Sequence, residues 1–121
     1  MEIEATTFSF GVDETDTPFA FVFFRDENVD FIFSLTRIVE EEDDGLIEFM
    51  VLDQILETVQ DVNLKVGTKN IVVSVPIGLQ KHTNSESILK INYTLNESQT
   101  KDLVNILKII FSGKCGLKIC I

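Results

Sequence analysis

One histidine, two cysteines and no apolar run near the roughly 20 residues of a membrane span leave this chain few places for metal, redox or transmembrane chemistry. His82 stands in Gln80-Lys81-His82-Thr83 with no nearby carboxylate or nucleophile to orient it, so a solvated side chain is expected rather than a catalytic one. Cys115 and Cys120 have four residues between them, which fits neither a CxxC redox pair nor a zinc pair, and free, partly buried thiols are expected. Neither GxGxxG nor a P-loop is present, and internal repeats, low-complexity tracts and linkers are also lacking. Asp26, Asn28 and Asp30 have a calcium-loop spacing, but Phe31 stands where the turn glycine belongs and Arg37 where the bidentate glutamate belongs. No catalytic, metal or cofactor residue is assigned. Glu2 and Glu4 follow Met1 where a secretory leader carries Lys or Arg, so a soluble cytoplasmic protein is expected.

Basic residues are scarce in one half only. Through Val62 there are 17 acids against Arg25 and Arg37, a balance of −15; from Asn63 onward, three acids face eight lysines, a balance of +5. If the fold keeps the halves apart, the surface is polarised. The net charge of −10 opposes direct nucleic-acid binding, which needs a basic footprint. At 121 residues and 45% hydrophobic, the chain has enough apolar side chain for one domain with its own core, spanning residues 1–121.

Periodicity predicts an α+β domain, mostly antiparallel hairpins with a C-terminal amphipathic helix on one face. Glu2 to Phe10 alternates apart from Thr6-Thr7, which predicts a first strand with a bulge. Val12 to Pro18 reads as a loop, and Phe19–Phe24 and Val29–Val39 as a hairpin whose second strand sets Phe31, Phe33 and Leu35 on one face. The acidic run Glu40 to Asp44 then reads as a solvated turn leading into Leu46–Leu52. Over Asp53–Val62 two periods compete. Leu52, Ile55, Leu56 and Val59 suit a helix, while Ile55, Glu57 and Val59 suit a strand; the reading leans to a short helical turn.

Leu64–Val66 and Ile71–Val75 form a further hairpin ended by Pro76, and Gly78–Ser87 is loop by composition. Ile88–Leu95 is a half-buried strand. Asn96 with Gln99 makes a capping box for a helix over Glu97–Ser112, and Leu103, Ile106, Leu107, Ile110 and Phe111 draw its apolar stripe. Leu117, Ile119 and Ile121 alternate as a last strand or ordered tail. Eight of the ten phenylalanines lie at or before Phe33, and the run Phe19–Phe24 is apolar on both faces, so either the domain's own core or a partner covers it.

Several of these segments together carry a resemblance. Phe31 to Arg37 (FIFSLTR), the acidic turn Glu40 to Asp44, Asp53-Gln54, the hairpin around Gly67 and the ending Ile88 to Gly113 (ILKINYTLNESQTKDLVNILKIIFSG) resemble small acidic immunity proteins of bacterial contact-dependent inhibition and other polymorphic toxin systems. The resemblance spans Val29 to Gly113 and is one of pattern, size and charge. It implies a non-enzymatic protein that neutralises a cognate toxin in the cytoplasm, with no catalytic residue to carry over and no contact that transfers by match. Read from charge, the expected partner is a basic toxin surface such as a nuclease cleft. The candidate contacts are Asp26, Glu27 and Asp30 in one turn and Glu40, Glu41, Glu42, Asp43 and Asp44 in the next. One alternative rests on the same charge, a phage or plasmid inhibitor mimicking nucleic acid through its carboxylates; a non-catalytic assembly subunit is the other, and no feature of the sequence points to it.

Overall fold

Between Ala5 and Thr6 the chain passes from one sheet to another. In the computed structural model, which describes residues 1–40 and 43–121, Ala5 N donates to Asn92 O at 2.8 Å and the next amide, Thr6 N, donates to Arg25 O at 2.8 Å. The single bulged strand expected over Glu2–Phe10 is therefore two strands, β1 (Glu2–Glu4) and β2 (Thr7–Asp13). Thr6 supports the crossing, since its hydroxyl donates to Arg25 O and accepts from Glu27 N at 3.0 Å. Dividing the segment lets Ile3 enter one face of the core while Phe8 and Phe10 pack on it from the other sheet.

The second sheet is an antiparallel meander in the order β2-β3-β4-β5-β6. β3 (Phe19–Asp26) pairs along its whole length with β4 (Phe31–Ile38), followed by β5 (Ile47–Val51) and β6 (Ile55–Val59). β2 takes in Val12 and Asp13, which the sequence reading assigned to a loop. The helical turn expected over Asp53–Val62 is not found. Leu52–Gln54 instead makes a tight reversal, with Leu52 at φ 58° and Gln54 at φ 64°, and β6 pairs with the free edge of β5. The strand period prevails because that edge offers ladder partners to all five residues while turning Ile55 and Val59 inward. The helical stripe would have required burial of Leu56, which is 49% exposed.

The first sheet has the order β1-β9-β8-β7-β10 and is mixed. β7 (Leu64–Gly67), β8 (Asn70–Ser74) and β9 (Ile88–Asn92) are antiparallel to their neighbours within this trio. β1 runs parallel to β9, and β10 (Leu117–Cys120) parallel to β7. The segment read as loop after Pro76 contains a 3₁₀ helix, Ile77–His82. Just past β9, Tyr93 is buried with its hydroxyl 2.6 Å from Gly67 O and 3.0 Å from Asn70 O, which closes the β7–β8 turn.

The inner faces of both sheets and one helix share a single core. Phe24 of β3 stacks on Tyr93, just past β9, with ring centroids 5.6 Å apart, and Phe33, Leu35, Phe49, Val66, Ile71 and Ile91 are fully enclosed. The helix α1 (Glu97–Ile110) packs on β2, β3 and β4 and touches β10, burying Leu103, Leu107 and Ile110 completely. Its capping box is formed as the sequence predicts. Gln99 N donates to Asn96 Oδ1 at 2.8 Å, and Asn96 N donates to Gln99 Oε1 at 2.9 Å. The architecture is α+β, with two mostly antiparallel sheets and a C-terminal helix.

Candidate functional site

The fold keeps the two charge regimes on separate sheets. Strands β2 to β6 come entirely from residues 7–59, which carry 14 acids against Arg25 and Arg37, whereas the other sheet is built from the lysine-bearing half plus β1. The charge difference between the halves is therefore also a difference between the sheets, while α1, which carries Lys101 and Lys108, packs on β2 to β4.

The described candidate acids do not form one cluster. Asp26, Glu27 and Asp30 sit at one end of β4 and Glu40, Asp43 and Asp44 at the other, separated by a strand of eight residues, roughly 25 Å. In the first group Asp26 is 5% exposed, and its carboxylate accepts from Glu4 N and Asn28 N, both at 3.0 Å, so it holds a turn and offers nothing to a partner. Glu27 is exposed and accepts from the Thr7 hydroxyl, and Asp30 is exposed and pairs with Arg25 Nη2 at 2.9 Å.

In the second group Glu40 and Asp44 are exposed, and Asp44 Oδ1 accepts from Leu46 N at 2.9 Å. Glu41 and Glu42 lie outside the described residues. Asp43 departs from the solvated turn expected of it. Its Oδ2 lies 2.9 Å from both Nε and Nη2 of Arg37, and its Oδ1 accepts from Gly45 N at 2.8 Å. Partial burial works against the charged form. The Gly45 hydrogen bond and the Arg37 guanidinium, with Lys114 nearby, outweigh it and hold the carboxyl below its ordinary value. Arg37 Nη1 also donates to Ile110 O at 2.9 Å and Ser112 O at 2.7 Å, which satisfies carbonyls at the end of α1.

Around the second group the structure adds residues that sequence reasoning missed. A hollow of about 440 Å³ opens on the outer face of this sheet between the 14–18 loop and the start of β5. Phe19, Ile38 and Leu46 give it apolar walls, Thr36 and Thr58 give hydroxyls, and Asp44 and Glu48 give carboxylates. Exposed Glu14 and Asp16 flank Thr15, which also lines it. The strand registers explain the grouping, because Phe21, Thr36, Glu48 and Thr58 lie opposite one another in a single row across β3 to β6. The neighbouring row contains Phe23, Ser34, Met50 and Leu56, so an apolar band runs away from the hollow. Phe19, Phe21 and Phe23 are half-buried on this outer face, while Ala20, Val22 and Phe24 fill the core. The run that is apolar on both faces is thus divided between core and surface. The sequence signal for Glu48 was its position out of phase with Ile47, Phe49 and Val51.

Elsewhere the N-terminal ammonium pairs with Glu86 at 2.6 Å. His82 is half-buried at the end of the 3₁₀ helix. Cys115 and Cys120 are free and exposed, not partly buried as expected, because Cys115 lies in the turn before β10 and Cys120 on the solvent side of that edge strand. Among the described residues no three His, Cys, Asp or Glu side chains gather as metal ligands, and no helix is long and apolar enough to cross a membrane. Compared with protein-family models, curated proteins and solved structures, the chain matches none.

Proposed function

We propose that this protein is an immunity protein that binds and neutralises a cognate bacterial toxin through the acidic end of its β2–β6 sheet. One observation carries the reading: carboxylates of Asp44 and Glu48 border a hollow walled by Phe19, Ile38 and Leu46, continuous with the band of Phe21, Phe23, Met50 and Leu56. Protein interfaces combine an apolar centre, which sets the dissociation rate, with charged surroundings, which set the speed and fidelity of encounter. The excess of acid selects a basic partner such as a nuclease cleft. Action is by occupancy in this reading, and no residue of the chain takes part in a reaction.

A nucleic-acid mimic would instead array carboxylates along a continuous path to imitate phosphates. Here the exposed acids of the sheet fall into two groups at opposite ends, with phenylalanine and methionine between them, which supports a protein-binding face over a mimic. The test is growth rescue. A bacterial host expressing the product of a gene adjacent to this one should survive only when the protein is co-expressed, and Asp44→Lys with Glu48→Lys should abolish survival. Failure of the wild-type protein to protect against any neighbouring gene product would sink the immunity reading.

A further inference from the structure

The outer face of the other sheet carries an arrangement with no use in that reading. Its registers align five residues in one row: Lys118 opposite Lys65, Lys65 opposite Val72, Val72 opposite Lys90, and Lys90 opposite Glu2. Residues adjacent in the chain, Val66, Val73, Ile91 and Ile3, point into the core, so the row faces outward. Neighbouring strands are about 4.8 Å apart, which sets the stems of Lys65 and Lys118 side by side. Like charges directly opposite on paired strands are destabilising. Among the described residues none of Lys65, Lys90 and Lys118 has a carboxylate within ion-pair distance, and Glu2 and Glu4 both accept instead from Asn92 Nδ2. Beside the pair lies a hollow of about 410 Å³ lined by Asn63, Ser74, Val72 and Ile88 as well as Lys65 and Lys118. It therefore offers cations, an amide, a hydroxyl and apolar surface together.

We propose that this row and hollow bind an extended acidic segment of a partner protein whose side chains on one face, at i, i+2 and i+4, run carboxylate, small apolar, carboxylate. Charge complementarity selects the occupant: unneutralised lysines flank Val72, so a chain crossing the strands meets cation, apolar and cation positions in turn. From Lys118 to Lys90 the row spans three inter-strand gaps, roughly 14 Å, the reach of about five extended residues, and Glu2 bounds it at the far end. Nucleic acid fits less well, because no aromatic side chain stands in the rows of this face to stack bases, and the net charge of −10 repels a long polyanion. The proposal is independent of the toxin-binding reading, since the two surfaces lie on different sheets.

The experiment is fluorescence anisotropy of a labelled peptide repeating Glu-Ser-Val-Ser, which sets Glu and Val in turn on one face of an extended chain, titrated with the full protein at low salt. Saturable binding is expected, weakened by at least about tenfold in Lys65→Glu/Lys118→Glu, as for charge pairs at an interface. Lys81→Glu/Lys108→Glu alters net charge equally at exposed positions elsewhere and should change affinity by less than about twofold. Lys65→Glu alone should melt no lower than wild type because it removes a like-charge pair. Should the double variant melt lower, Lys65→Gln/Lys118→Gln is judged by the same criterion. Peptide-induced amide shifts in the wild-type protein should centre on β7, β8 and β10. Absence of saturable binding, equal loss in both double variants, shifts centred on the other sheet, or tighter binding of a single-stranded oligonucleotide than of the peptide would each overturn the proposal.

Discussion

Arg37 grips Asp43 from two nitrogens at 2.9 Å while its third nitrogen holds the carbonyls of Ile110 and Ser112. One side chain thus fastens Asp43 to the C-terminal end of α1, and the position of that carboxylate depends on the helix. Arg37→Ala should lower stability by roughly 1.5–3 kcal/mol, the range for hydrogen bonds to a charged group, toward the lower end because both partners keep some solvent contact. Arg37→Lys should recover little, because one ammonium cannot reproduce the planar fork. Urea midpoints check the stability, and hydrogen exchange at the last turn of α1 should quicken in both variants.

Asp43 makes that contact depend on pH. Its carboxyl is held below its ordinary value of 3.8 in the folded protein, so the unfolded chain takes up a proton first as pH falls. The stabilisation is complete above the unfolded value and disappears as pH drops through the folded one. Asp43→Asn should therefore be less stable than wild type at neutral pH, and the gap should narrow below pH 3.8. Denaturation midpoints of both proteins across the acid range measure it; a gap independent of pH would show that the carboxylate charge contributes nothing.

Two changes test how α1 is held. Leu107→Ala empties a fully buried site and should cost roughly 2–5 kcal/mol, as core leucines do. Asn96→Ala removes the acceptor of Gln99 N and should cost about 1 kcal/mol. A midpoint at the wild-type value for Leu107→Ala would contradict the packed helix.

The acidic hollow should separate encounter from residence. Asp44→Lys with Glu48→Lys, both exposed, should leave circular dichroism unchanged and slow association with a basic partner, most strongly at low salt. Leu56→Ser, on the apolar band and 49% exposed, should instead speed dissociation with little effect on stability. Asp43→Lys should behave differently from its neighbour Asp44→Lys by loosening the fold itself. Stopped-flow kinetics at two salt concentrations beside thermal melts would distinguish the three.

By itself the sequence determined what short-range physics governs. Asn96 and Gln99 are three residues apart, and the stripe from Leu103 to Phe111 needs only the helical period, so α1 was legible. The hairpin of β3 and β4 was legible because Phe31, Phe33 and Leu35 alternate in phase with one buried face. The segregation of charge was legible too, as a difference between two halves of the chain. Tertiary structure decided whatever depends on a partner far along the chain. The bulge predicted at Thr6-Thr7 became a change of sheet because Asn92 and Arg25 offered carbonyls on different sheets. Residues 55–59 became a strand because β5 presented an unpaired edge, which outweighs an ambiguous local period. Asp43 left the solvated run because Arg37 and the end of α1 converge on it, and Glu48 joined the hollow through cross-strand register. Local periodicity and caps report the hydrogen bonds a segment makes with itself. Which acids are free to meet a partner is set by bonds between distant segments, and those exist only once the sheets have paired and packed.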